Sequence, residues 1–202
     1  MSYNLNLNLG GKSLLILFDY GHGGKDPGTT YMSRYEANDV LRLVQAEAKR
    51  LRAAGVQIDE TRTSNTTLSL QQRVEIEKKK KYDFFISFHR NAFKPGVATG
   101  AEVFVFNLAN PQSQSKPLAD RIQRTLVDVG FKNRGVKEAD FYVLKNTKAP
   151  ALLLEIGFID NSADNKLFDA KFNAIVDGIT KAITTGRNMI EVCPTCGARI
   201  GK

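Results

Sequence analysis

Short apolar runs bounded by turn residues alternate along this chain with longer segments whose apolar positions recur every three or four residues. Residues 13–19 form such a run and predict a buried strand. From Glu36 the stretch EANDVLRLVQAEAKRLRAAG sets Val40, Leu41, Val44, Ala48 and Leu51 on one helical face, and Gly55 closes it. Residues 56–61 predict a second strand and residues 67–80 a second helix. YDFFISFHRN predicts a third strand over 83–88, with His89 at its carboxyl end. AEVFVF, residues 101–106, alternates and predicts a fourth strand. A helix over 115–129 follows, then a short strand over 141–144. Residues 151–156 are a further buried strand carrying one carboxylate, Glu155. The last helix, over 171–184, places Phe172, Ile175, Val176, Ile179 and Ile183 on one face. This alternation predicts an α/β fold: a twisted, mostly parallel sheet of about six strands, flanked by helices on both faces.

Length and charge narrow the picture. With 202 residues, 42% apolar and 25% charged, the chain suits one globular domain, expected over 1–186, plus a short tail over 187–202. No apolar run approaches the ~20 residues that span a bilayer, so no membrane insertion is expected. MSYNLNLNLGGKS has neither a charged leader nor a long apolar stretch, so synthesis in the cytoplasm without a signal peptide is expected. The net charge of +8 favours polyanionic surroundings, of which an anionic wall polymer is one. The run from Lys78 to Lys81 reads as a solvated helix end, and no aromatic residues interleave with it, so a nucleic-acid partner is not expected. Cys193 and Cys196 stand in CPTCG, which looks like the first knuckle of a zinc ribbon. Two ligands fall short of the usual four, and the pair reads as a tail rather than a redox pair or a site shared between chains.

The chemistry collects where strands end. LLILFDYGHGGKDPGTT leads from a strand into a glycine-rich turn with His22 at its centre. His22 and His89 are the chain's two histidines, and both follow apolar strands. Glu36 opens the first helix after the loop from strand one, and Glu155 lies among apolar neighbours, where an unpaired carboxylate is costly. In open α/β sheets such strand ends face one crevice. Two imidazoles and one carboxylate would hold a divalent zinc with a position left for water, whose pKa falls from ~15.7 towards ~7. A second carboxylate would serve as general base. Residue types alone leave open which glutamate does which. A phosphate cradle is the competing reading of the glycines, but both G-x-x-x-x-G-K-[ST] and G-x-G-x-x-G are missing.

Six segments in register, ILFDYGHGGKDPG, EANDVL, TRTSNTTLSLQQRVEIE, DFFISFHRNAF, GAEVFVF and NRGVKEADFYVLKNTKAPALLLEIGFIDN, resemble the zinc-dependent N-acetylmuramoyl-L-alanine amidases of the Amidase_3 type, from bacterial autolysins and phage endolysins. The resemblance runs from about residue 13 to 184. It implies that His22, Glu36 and His89 ligate one zinc ion and that Glu155 is the catalytic base. It also implies hydrolysis of the amide joining N-acetylmuramic acid to L-alanine, with peptidoglycan as substrate. Asp19, Asp26 and Asn91 are candidates to support the histidines. Arg90 replaces a small residue at the mouth of the site, either contacting a stem-peptide carboxylate or facing solvent. A zinc peptidase of the stem peptide and a non-catalytic wall-binding module are the alternatives. Release through a phage holin or by lysis of the host cell would bring the protein to the wall.

Overall fold

The computed structural model describes residues 13–107 and 114–185, together with the strands Glu191–Val192 and Arg199–Ile200. Cys193, Cys196 and the rest of the tail expected over 187–202 lie outside the described residues. Chain order is β1 (Leu15–Tyr20), β2 (Thr30–Tyr31), β3 (Arg34–Tyr35), α1 (Glu36–Ala53), β4 (Gln57–Glu60), α2 (Leu70–Lys78), β5 (Phe84–Asn91), β6 (Ala101–Val105), α3 (Ser115–Val129), β7 (Asn133–Glu138), α4 (Tyr142–Asn146), β8 (Ala151–Phe158), α5 (Ser162–Ala170), α6 (Phe172–Thr185), β9 (Glu191–Val192) and β10 (Arg199–Ile200). Six strands form one sheet in the order β4-β1-β5-β8-β6-β7. Every pairing is parallel except β6 with β8, which is antiparallel. β2 pairs with β3, and β9 with β10, as two short hairpins.

The period-2 alternation of the strands divides the core in two. Ile16, Phe18 and Tyr20 of β1, Ile86 and Phe88 of β5, and Leu152, Leu154 and Ile156 of β8 face α1, α3, α5 and α6, where Val44, Leu51, Ile122, Leu126, Phe168 and Ile179 complete the larger cluster. Leu17, Phe85, Ala151 and Leu153 face the other way, towards Val74 of α2 and Val143 and Leu144 of α4. These two helices have only nine and five residues. They cover the lower part of this face, while its upper part, at the carboxyl ends of β1, β5 and β8, carries the polar side chains Asp19, Ser87, His89 and Glu155. No helix among the described residues is long and apolar enough to cross a membrane.

Apart from the two short hairpins, the elements depart from expectation in four places. Residues 141–144, expected as a strand, lead into helix α4, whose Val143 and Leu144 pack into the smaller cluster while Phe141 stacks edge-to-face on Phe104 at 5.2 Å. A four-residue apolar run has no period long enough to separate helix from strand. β7 was not expected, because Val136 is its single apolar side chain and it lies at the sheet edge. α5 was not expected either; Asn161 caps it through its side chain, which accepts from Ala163 and Asp164 N–H groups. α2 starts at Leu70 rather than Thr67: Ser69 and Gln72 form a capping box, and the Thr67 hydroxyl is engaged elsewhere.

Candidate metal centre

Beyond Tyr20 the chain turns sharply, and the glycines there make room for side chains. A Cβ on Gly21 would lie 2.5 Å from Cε1 of His89 and 2.7 Å from the Phe88 carbonyl oxygen. A Cβ on Gly28, which has φ 66°, would lie 2.7 Å from both Glu36 Oε2 and His22 Cδ2. Glycine at 21 thus admits one imidazole, and glycine at 28 admits the other imidazole together with the carboxylate. His22 itself adopts φ 58°, an uncommon conformation for a residue with a side chain.

Three donor atoms converge. Glu36 Oε1 lies 3.2 Å from His22 Nε2 and 3.0 Å from His89 Nδ1, and the ligand atoms of the three residues lie within 4.8 Å of one another. Glu36 is the first residue of α1 and is buried, while the histidine side chains keep 26% and 20% of their surface open to solvent. Backbone N–H groups hold the carboxylate: Thr29 donates to Oε2 at 3.0 Å and Arg90 to Oε1 at 3.1 Å. Asp26 Oδ2 lies 2.9 Å from His22 Nδ1, and Asp26 Oδ1 accepts from the Gly28 N–H. Asp26 therefore orients the ring so that Nε2 faces Glu36.

Burial alone would raise the Glu36 pKa, but the two imidazoles outweigh it and hold the carboxyl far below its ordinary range. Burial would lower the His22 pKa, yet Glu36 and Asp26 together raise it. The cluster thus attracts positive charge. Two imidazole nitrogens and one carboxylate oxygen, with neighbouring space open, form the donor set of hydrolytic zinc sites, so these residues fit a zinc ion.

Glu155 lies beside this cluster. In register it sits opposite His89 of β5 on one side and Glu102 of β6 on the other. Its Oε2 is buried and has no hydrogen-bond partner. Burial, followed by the negative charges of Glu36 and Glu102, pushes its pKa well above the ordinary value, with Arg90 opposing.

The remaining candidates lie further from the donors. Asp19 is buried and accepts from Thr61 Oγ1 at 2.9 Å, Arg73 Nη1 at 2.7 Å and Ser87 Oγ at 2.7 Å, beneath the histidines rather than against them. Asn91 donates to Glu102 Oε1 at 2.6 Å, not to a histidine. Arg90, expected at the mouth, turns inward. Alternation along β5 puts it on the face opposite His89, where Nη1 bonds Asp39 at 2.6 Å, Nη2 bonds Asn165 at 2.8 Å, and the guanidinium lies 4.1 Å from the Phe168 ring centre. Burial lowers its pKa to about 10. Its side chain meets neither substrate nor solvent; only its backbone serves the site.

Sequence reading missed Glu102, which binds Lys137 and lies 3.2 Å from Arg134 Nε. It also missed Arg62 and Arg73, both buried. Arg62 and Arg73 stand in polar stretches and Glu102 near the start of an alternating strand, so only the register of β6 with β8, or the packing of α2, reveals them.

A mostly parallel α/β sheet carries, at its strand ends, two imidazoles and a carboxylate that converge as a three-donor cluster able to hold a metal ion. Residues 16–185 match the family Amidase_3, N-acetylmuramoyl-L-alanine amidase, and the chain belongs to that family. It is 34% identical over 173 residues to N-acetylmuramoyl-L-alanine amidase LytC of Bacillus subtilis, covering 85% of this chain and 34% of that protein. It is 32% identical over 174 residues to the probable cell wall amidase LytH of Staphylococcus aureus, covering 81% and 56%. The chain thus spans between about a third and just over half of these relatives. Among solved structures, N-acetylmuramoyl-L-alanine amidase from Clostridium difficile 630 superposes with a TM-score of 0.82 at 30% identity, covering 90% of this chain and all of that one.

Proposed function

We propose that this chain hydrolyses the amide between N-acetylmuramic acid and L-alanine in peptidoglycan, with zinc held by His22, Glu36 and His89 and with Glu155 as the general base. One observation carries the reading: an unpartnered buried carboxylate oxygen, that of Glu155, on a residue in register with His89, one of the three converging donors. When bound, zinc supplies Lewis acidity towards the scissile carbonyl and towards water. Asp26 keeps the His22 donor nitrogen free of a proton by accepting from Nδ1. Glu36 and Glu102 favour the protonated form of Glu155, while a divalent charge at the donors favours the ionised form. Glu155 can therefore take a proton from water and return it to the departing alanine nitrogen. The net charge of +8 supports attraction to anionic wall polymers. The route to the wall, by holin or by host lysis, belongs to the same proposal.

The test is digestion of purified cell walls by the zinc-loaded protein, with identification of the new amino groups. Alanine amino termini are expected, and Glu155→Gln should lower the rate by about 10²- to 10⁴-fold. New peptide ends inside the stem would assign a peptidase instead. Equal clearing by Glu155→Gln would remove Glu155 from the chemistry, and no release by either protein would leave a wall-binding module.

A further inference from the structure

The conformation of the metal loop is set from outside it. His22 sits at φ 58°, where a residue with a Cβ is strained unless its surroundings over-determine it. Those surroundings are the segment after β4 and the inner face of α2. Arg62 donates from Nη2 to the Gly21 carbonyl at 2.9 Å, from Nε to the Tyr20 carbonyl at 3.3 Å and from Nη1 to the Ser64 carbonyl at 2.9 Å. Arg73 donates from Nη2 to the His22 carbonyl at 3.0 Å, and from Nη1 to the Tyr20 carbonyl and, at 2.7 Å, to Asp19 Oδ1. The next turn is held likewise. Thr67 Oγ1 donates to the Gly23 carbonyl at 2.9 Å and accepts from Lys25 N–H at 2.8 Å, and Asn65 Oδ1 accepts from Gly24 N–H at 2.8 Å. Four consecutive carbonyls, from Tyr20 to Gly23, are thus taken up by residues 62–73.

Two features separate this arrangement from ordinary packing. Both arginines are only 4% exposed; Asp19, a buried carboxylate, bonds Arg73, while the bonds of Arg62 all go to backbone carbonyls. Buried charge with so little compensation is poor material for stability, and apolar residues of similar volume often serve as well or better. A planar guanidinium, however, presents several N–H groups in a fixed fork, which lets one side chain fix two or three carbonyls at once. In the conformation so fixed, His22 meets Glu36 through Nε2 and Asp26 through Nδ1 at the same time.

We propose that Arg62 and Arg73 are positioning residues of the metal centre, gripping the carbonyls of Tyr20, Gly21 and His22 and thereby holding the His22 donor nitrogen towards Glu36 and His89. This inference rests on the reading of His22, Glu36 and His89 as metal ligands. Lysine at 62 keeps the charge but cannot span three carbonyls, and glutamine at 73 cannot reach both Tyr20 and His22.

The test is zinc affinity, by competition with a chromophoric chelator, set beside thermal unfolding of the metal-free protein. Arg62→Lys and Arg73→Gln should each bind zinc about 10- to 100-fold more weakly than wild type, the range expected for groups that orient a ligand. Asp19→Asn combined with Arg73→Gln removes the buried Asp19–Arg73 ion pair; it should regain unfolding temperature relative to Arg73→Gln while zinc affinity stays low. Val74→Ala, on the same helix, should lower the unfolding temperature and leave affinity unchanged. Losses below about tenfold in both single variants, affinity restored together with stability in the double variant, or an equal loss in Val74→Ala would each overturn the proposal. Wild-type protein that binds no zinc would overturn the metal reading itself, and the clamp with it.

Discussion

Glu47 on α1 is wholly buried against α6, far in chain and chemistry from the metal loop, and it makes stability depend on pH. Thr180 Oγ1 donates to its Oε1 at 2.7 Å, while Oε2 is buried without a partner. Burial raises its pKa from 4.5 to about 8; the Thr180 bond opposes, nearby Asp177 reinforces and Arg50 opposes. The proton therefore stays on in the folded protein over a range where the unfolded chain has lost it. As pH rises from 4.5, the unfolded state ionises first and gains free energy relative to the native state. The stabilisation is complete below pH 4.5, falls away between there and about 8, and is level above. At about 1.4 kcal/mol per pH unit, this window is worth up to about 5 kcal/mol, a large share of the roughly 5–15 kcal/mol that holds a domain together. Glu47→Gln keeps an acceptor for Thr180 and removes the ionisation. Urea unfolding followed by circular dichroism, with a chelator present, should show the variant gaining about 2–5 kcal/mol over wild type between pH 5 and pH 8.5. Other titrating groups cancel in that difference. Parallel curves for the two proteins across this range would refute the buried-proton account.

Further perturbations separate site from scaffold. Asp26→Asn removes the negative charge and leaves one acceptor oxygen for two donors, His22 Nδ1 and the Gly28 N–H, and should weaken zinc binding by about tenfold or more in a chelator competition; unchanged affinity would show that the ring is oriented without it. Gly21→Ala drives a Cβ onto the His89 ring and the Phe88 carbonyl, and should cost about 1–3 kcal/mol in unfolding experiments and abolish stoichiometric zinc uptake. Ser69→Ala breaks the capping box of α2 and should cost about 1 kcal/mol with zinc affinity intact; a loss of affinity as well would mean that α2 positions the loop through its amino end, not through Arg73 alone.

The fold was legible where burial is total. β1, β5 and β8 are runs of apolar residues that only a covered sheet accepts, and α1, α3 and α6 have stripes several turns long. It was illegible where burial is partial: β7 carries one apolar side chain, and α4 is too short for its period to register. The candidate cluster was visible through residue scarcity and place, because both histidines follow strands and Glu36 opens a helix. Residue type alone left open which glutamate joins them, and the family resemblance implied Glu36; in three dimensions Glu36 Oε1 reaches both rings, while Glu155 has an oxygen without a partner. Arg90 shows the limit in the other direction. One residue past His89, it looked like part of the same rim, and the pleat of β5 sent it to the opposite side of the sheet, onto Asp39.

The three donors sit on the rim of two apolar clusters that close without them. They also come from distant points of the chain, Glu36 and His89 being 53 residues apart, and meet only once β1, β5 and α1 have docked. Small zinc-nucleated domains, whose chains are unfolded until the ion gathers them, work the opposite way. The ion of the proposed function would be a passenger, boarding a vessel already built. Under that proposal the protein can be made empty, stored empty and filled where zinc is at hand, so that the supply of metal would act as a throttle on a folded protein rather than as a condition of its existence.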